Sequence, residues 1–155
     1  RTFTFVTKLP PVSAMIKKYF HGTITRPSAR VLKKTPIKGD SGGELEHYFE
    51  REILAPHKRM MEEFQLTEAL RLLTDFFHLL DRYIQDYEPY RIVKEEPEKA
   101  EAVIWVVASH IISASRLLEP FMPETACAIE KIFGATERDR IKVGVHSALF
   151  PSKKE

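Results

Sequence analysis

With 155 residues, of which 43% are hydrophobic and 30% charged, and a formal net charge of +2, the chain has the composition of one ordinary globular domain. Its single cysteine, Cys127, excludes an internal disulfide framework, fits a reducing intracellular setting and is expected to be a small core residue. The charge is lopsided: residues 1–39 carry nine Lys or Arg and no Asp or Glu, while the remainder has 15 basic and 22 acidic side chains. This pattern allows either a polyanion partner for the basic part or a solvated basic loop beside an acidic bundle.

Arg1 stands where an initiator methionine would, and no secretory leader is visible, which suggests a fragment of a longer chain. Arg1-Thr2-Phe3-Thr4-Phe5-Val6 alternates briefly like a strand, and Pro10-Pro11 is expected to interrupt any helix that includes it. From Val12 to Phe20 helical spacing returns, with Val12, Met15, Ile16, Tyr19 and Phe20 along one side. Residues 21–43 contain four glycines, two prolines and five basic side chains, and read as a long basic loop or insertion.

After Ser41 a helix is predicted in which Leu45, Tyr48, Phe49, Ile53, Met60 and Phe64 share a face, kinked near Ala55 by Pro56. Thr67 suits an N-cap or first-turn position. Beyond it Leu66, Leu70, Leu73, Phe77, Leu80, Ile84 and Tyr87 form a two-position seam, the pattern of a helix packed in an antiparallel bundle. Pro89 stops this helix with the ring of Tyr90 just beyond, a ready stacking platform.

Pro97 opens a helix predicted to reach about Leu118, so apolar through Val103, Ile104, Trp105, Val106, Val107, Ile111 and Ile112 that it should lie at the centre. Its uncharged run, Ala102 to Ser115, is shorter than the roughly 20 apolar residues a membrane span requires, so it reads as buried helix and no membrane partner is expected. A last helix runs from about Pro123 to Phe133, with Ala126, Ile129 and Ile132 inward and Gly134 as its cap. The tail to Glu155 is expected to be irregular, with Leu149-Phe150-Pro151 docking back. The sum is one all-α domain over residues 1–155, an antiparallel bundle of about five helices.

Catalytic chemistry has no visible constellation. There is no Gly-rich phosphate loop, His-Glu-x-x-His run, nucleophile elbow or paired-cysteine spacing, and the six histidines never stand at metal-ligand spacing with a second strong ligand. No catalytic residue, metal ligand or cofactor site is therefore expected in this chain. His110, on the buried helix, is expected to be a hydrogen-bonded core histidine.

The order of a helix ending in Tyr83-Ile84-Gln85-Asp86-Tyr87-Glu88-Pro89-Tyr90, a buried helix, and Pro120-Phe121-Met122-Pro123-Glu124-Thr125 before a short helix resembles the C-terminal anticodon-binding domain of methionyl-tRNA synthetases. The likeness covers most of the chain from about Glu44, including Leu149-Phe150-Pro151. The Pro-Phe-Met-Pro-Glu-Thr run alone is shared with other class I synthetases. It implies a class I anticodon-binding bundle that grips the CAU anticodon of a tRNA, joined to a catalytic domain of the same parent chain. That parent would ligate methionine to tRNA in the cytoplasm with ATP and magnesium.

In that family the residue after Glu-Pro is usually a tryptophan that stacks on an anticodon base; here Tyr90 supplies the π face, with Pro89 behind it. The family's first helix also carries an asparagine and, four residues later, an arginine, both reading the anticodon. Arg1 looks like that arginine, whereas counting back without a gap from Ile16-Lys17-Lys18-Tyr19-Phe20-His21-Gly22 puts Thr7 and Pro11 at the two positions. Arg91 and Lys94 could hold phosphate or be merely solvated, and Lys17, Lys18, Lys33 and Lys34 would add salt-sensitive affinity where they face the tRNA. Two other readings stay open: a degenerate bundle serving as a protein-interaction module, and the same domain from another class I synthetase.

Overall fold

A computed structural model describes residues 9–37, 45–133, 136–137 and 139–143. Arg1, Thr7, Gly134 and Leu149-Phe150-Pro151 lie outside the described residues. The bundle expectation holds, with a small sheet added.

Helix α1 spans Leu9–Phe20 and so begins one residue before Pro10-Pro11. The prolines do not interrupt it, because first-turn residues have no intrahelical partner for their N–H and a ring costs nothing there. Val12 and Ile16 are buried beneath it. The helix ends at His21, held in the left-handed region at φ 56°, and the Gly22 N–H donates to the Ile16 carbonyl at 3.0 Å.

The expected loop over 21–43 is instead structured where it is described. Strand β1 (Thr23–Thr25) and a single helical turn α2 (Ala29–Leu32), capped by Ser28, are built from it. Ile24, Thr35 and Ile37 are buried. The three isolated apolar or small side chains do what a long apolar run does elsewhere: each drops into a pre-existing core.

Helices α3 (Leu45–Phe49) and α4 (Ala55–Glu62) are joined by a π-helical segment, Glu50–Leu54. The sequence places the irregularity near Ala55, and the structure places it just before. Widening the turn so that the Ala55 N–H reaches Glu50 delivers Pro56, which has no N–H to give, into a first-turn position. Tyr48 and Ile53 face inward as expected, but Phe64 is 86% exposed.

Helix α5 (Leu66–Tyr87) and helix α7 (Pro97–Leu118) are the two long elements, each of 22 residues, and they pack against each other. Only nine residues separate them, so they run antiparallel. Thr67 falls in the first turn of α5, not at its cap, which is Gln65. The buried stripe of α5 is broader than a two-position seam: Ala69, Phe76 and Tyr83 join Leu73, Phe77 and Leu80, while Leu66 is 49% exposed.

Thirteen residues of α7 are buried, which makes it the central helix. Its length and apolar character would suffice to cross a bilayer, but 67% of that stretch is buried inside the domain. Its His110 is a core histidine as expected, with Nδ1 2.7 Å from the Val106 carbonyl. Helix α8 (Pro123–Ile132) packs on α7 through Ala126, Ile129 and Ile132. Cys127 is exposed, contrary to the expected core position, because it lies about 100° round the helix from Ala126.

The tail is not wholly irregular. Strands β2 (Thr136–Glu137) and β3 (Arg140–Lys142) form an antiparallel sheet in the order β1-β3-β2, with Ile24 opposite Ile141 and both buried. The sheet is anchored to the bundle by Glu101 of α7, whose Oε2 accepts from the Thr25 backbone N–H at 3.0 Å and its hydroxyl at 3.4 Å.

Candidate nucleic-acid interface

Helix α5 stops because Glu88 turns left-handed, at φ 47° and ψ 59°, with its N–H donating to the Ile84 carbonyl at 2.8 Å. A four-residue turn, α6 (Pro89–Ile92), follows at once, and its first hydrogen bonds run from the Arg91 and Ile92 N–H groups to the Glu88 carbonyl. Pro89 is buried at the first position of the turn, which makes it the mount of the turn. Tyr90, the next residue, is thrown outward and is 52% exposed. At Glu88-Pro89-Tyr90 the chain thus pairs a buried proline with an open ring.

Arg91 is exposed and reaches back to Glu88, Nη1 to Oε1 at 3.0 Å, so part of its charge is engaged in holding the turn. Lys94 is exposed in the turn after α6. Exposed pairs of this kind are weak.

Two tyrosines tie the N-terminal basic segment to this end of the bundle. The Tyr83 hydroxyl, buried, donates to the Thr35 carbonyl at 2.6 Å, and the Tyr87 hydroxyl donates to the Pro36 carbonyl at 3.1 Å. Burial pushes the phenols of both residues up, and the Asp86 charge adds to the effect at Tyr87. Both therefore remain neutral donors at physiological pH. Lys33 and Lys34, exposed, immediately precede the segment so held.

The Tyr83 and Tyr87 rings lie 4.8 Å apart, and Lys99 Nζ from the first turn of α7 sits 5.9 Å from the Tyr87 ring centre. Sequence reasoning put Tyr87 on the packing seam but gave no role to the Tyr83 and Tyr87 hydroxyls or to Lys99. The four-residue spacing of the tyrosines was the available signal, but their partners at Thr35 and Pro36 could not be read locally. Lys17 and Lys18 are exposed in the last turn of α1, with Lys18 Nζ 5.2 Å from the Tyr19 ring centre. Pro11 lies in the first turn of the same helix.

The exposed ring and its buried proline mount sit within a recognised sequence pattern: residues 35–150 match the family described as "Anticodon binding domain of methionyl tRNA ligase". The chain belongs to that family. Among relatives of this anticodon-binding family, the methionine–tRNA ligase of Chloroherpeton thalassium is 30% identical over 88 residues, which is 57% of this chain and 13% of that protein. The methionine–tRNA ligase of Flavobacterium johnsoniae is 30% identical over 121 residues, 78% of this chain and 16% of that protein. The chain thus spans less than a fifth of the length of the curated relatives it matches. The same fold occurs in the apo methionyl-tRNA synthetase of Mycobacterium tuberculosis, with a TM-score of 0.70 and 16% identity over 98% of this chain and 32% of that one.

Proposed function

We propose that this anticodon-binding domain holds the anticodon stem-loop of a methionine tRNA, favouring CAU, within a longer ligase chain. The observation that carries this reading is the exposed ring of Tyr90 on the buried Pro89 mount, inside a sequence matched to the anticodon-binding family. Tyr90 stacks on an anticodon base, a contact indifferent to base identity, so it supplies affinity more than selection. Arg91 and Lys94 take backbone phosphate, and Lys33, Lys34, Lys17 and Lys18 add salt-sensitive attraction. Discrimination of CAU then falls to the N-terminal segment, with Arg1 the candidate reader.

The remainder of the parent chain would bind ATP with magnesium and methionine and carry out ligation. A cytoplasmic setting belongs to the same proposal, and the free, exposed thiol of Cys127 suits a reducing compartment. The test is direct binding to methionine tRNA and to the same tRNA with its anticodon altered. Preference for CAU of at least about tenfold, or about 1.4 kcal/mol, is expected. Equal affinity would remove the anticodon reading and leave a bundle that binds protein.

A further inference from the structure

At the end of α5 remote from Tyr90, the chain does something costly. Helix α4 ends in a Schellman turn: the Phe64 N–H donates to the Met61 carbonyl at 3.1 Å and the Gln65 N–H to the Met60 carbonyl at 2.8 Å. The residue at the left-handed position of this turn is normally glycine, because a side chain is strained there. Here it is Phe64, at φ 58° and 86% exposed. Two residues on, at the first position of α5, Leu66 is 49% exposed, and with Leu70 and Leu73 it continues the core stripe of the helix out to an uncovered end.

A bulky ring held in a disfavoured backbone conformation and pointed at solvent gains nothing from the domain itself. We infer that the α4–α5 corner, Phe64 with Leu66, is the surface on which the rest of the parent ligase chain docks. This rests on the proposal that the domain is part of such a chain. Three observations choose that occupant. Helix α5 places the corner about 33 Å from the Tyr90 end, by 22 residues at about 1.5 Å each, so both ends can be engaged at once. Residues 62–68 carry Glu62, Glu63 and Glu68, with the nearest basic side chains at Arg59 and Arg71, so the apex of the corner offers an RNA backbone no cation and favours an apolar protein surface with a basic rim. More than four fifths of each matched relative lies outside the matching part, and a covalently joined partner acts at an effective concentration in the millimolar range.

The experiment uses the longer ligase with photo-reactive benzoylphenylalanine in place of Phe64. Illumination is expected to give an intramolecular link to a peptide outside these 155 residues. A link to a second copy, to added tRNA or to a peptide within the domain, or no link, would overturn the proposal. A second measurement needs no substitution: radical footprinting of the unaltered ligase without tRNA should label Phe64 at least threefold less than Tyr90. Equal or heavier labelling of Phe64 would also overturn it. Neither readout depends on tRNA preference, so failure here is separable from failure of anticodon recognition.

Discussion

Replacing Tyr90 by leucine separates stacking from structural support. Tyr90 is 52% exposed, so about half of the roughly 150–250 Å² that a tyrosine can cover lies against the bundle. About 100 Å² at about 25 cal/mol per Å² is an upper bound of about 2.5 kcal/mol, which alanine would largely forfeit. Alanine would therefore confound loss of binding with loss of fold. Leucine keeps most of the apolar cover and removes the π face alone. We expect Tyr90→Leu to weaken tRNA binding by about 1–3 kcal/mol, about 5- to 150-fold in Kd, with little change in Tm, and Tyr90→Phe to behave as the parent. Binding is read by tRNA titration and stability by thermal melting of the same samples. If Tyr90→Leu melted several degrees lower and bound tRNA as before, the ring would be core cover and the stacking role would be wrong.

Further outcomes follow from named contacts. Tyr83→Phe strands the Thr35 carbonyl inside the protein and should cost about 1–3 kcal/mol in denaturant unfolding; unchanged stability would show that the bond contributes nothing. Because the folded-state pKa of Tyr83 is raised above its ordinary 10.0, its contribution is complete below pH 10 and is lost as pH rises beyond, so Tyr83→Phe should flatten alkaline destabilisation. Burial lowers the pKa of His57 below its ordinary 6.5, so the unfolded chain binds the proton first and stability falls as pH drops through 6.5. His57→Gln should reduce the slope of Tm between pH 7.5 and 5.5, and an identical slope would contradict this. Replacing Lys33 and Lys34 by alanine should lower the dependence of log affinity on log salt by roughly 0.7–0.9 for each lysine that meets phosphate, and an unchanged slope would place both away from the tRNA.

The two long helices were legible because each carries its own signals: α7 runs from Pro97 to Leu118 as predicted, started by a first-turn proline and apolar nearly all round. The stop of α5 at Glu88-Pro89 was legible for the same local reason. Its surroundings were not, since Thr35 and Pro36 meet Tyr83 and Tyr87 across about fifty positions of chain and nothing in either stretch announces the other. Strand β1 was hidden among basic and small residues, since three-residue strands have too little alternation to be read. Pro10-Pro11 misled by residue type where position decides. Phe64 misled by pattern: its spacing from Met60 fits one helix face, but the chain leaves the helix at Glu63. Cys127 could have been placed correctly from Ala126, Ile129 and Ile132 alone, since the neighbour of an inward residue on a helix points elsewhere.

The pairing of Thr23–Thr25 with Arg140–Lys142 joins segments more than a hundred positions apart, reinforced by the Val143 N–H on the Gly22 carbonyl at 2.8 Å and the Arg26 N–H on the Asp139 carbonyl at 2.8 Å. Such a long closure is entropically slow, while the helices assemble from near neighbours, so this clasp is expected to close after the bundle has formed. The span matched to the family begins at residue 35, after β1. Cutting the chain to that span leaves β3 with an unpaired edge and Ile141 without Ile24 opposite, the combination that invites strand-to-strand aggregation.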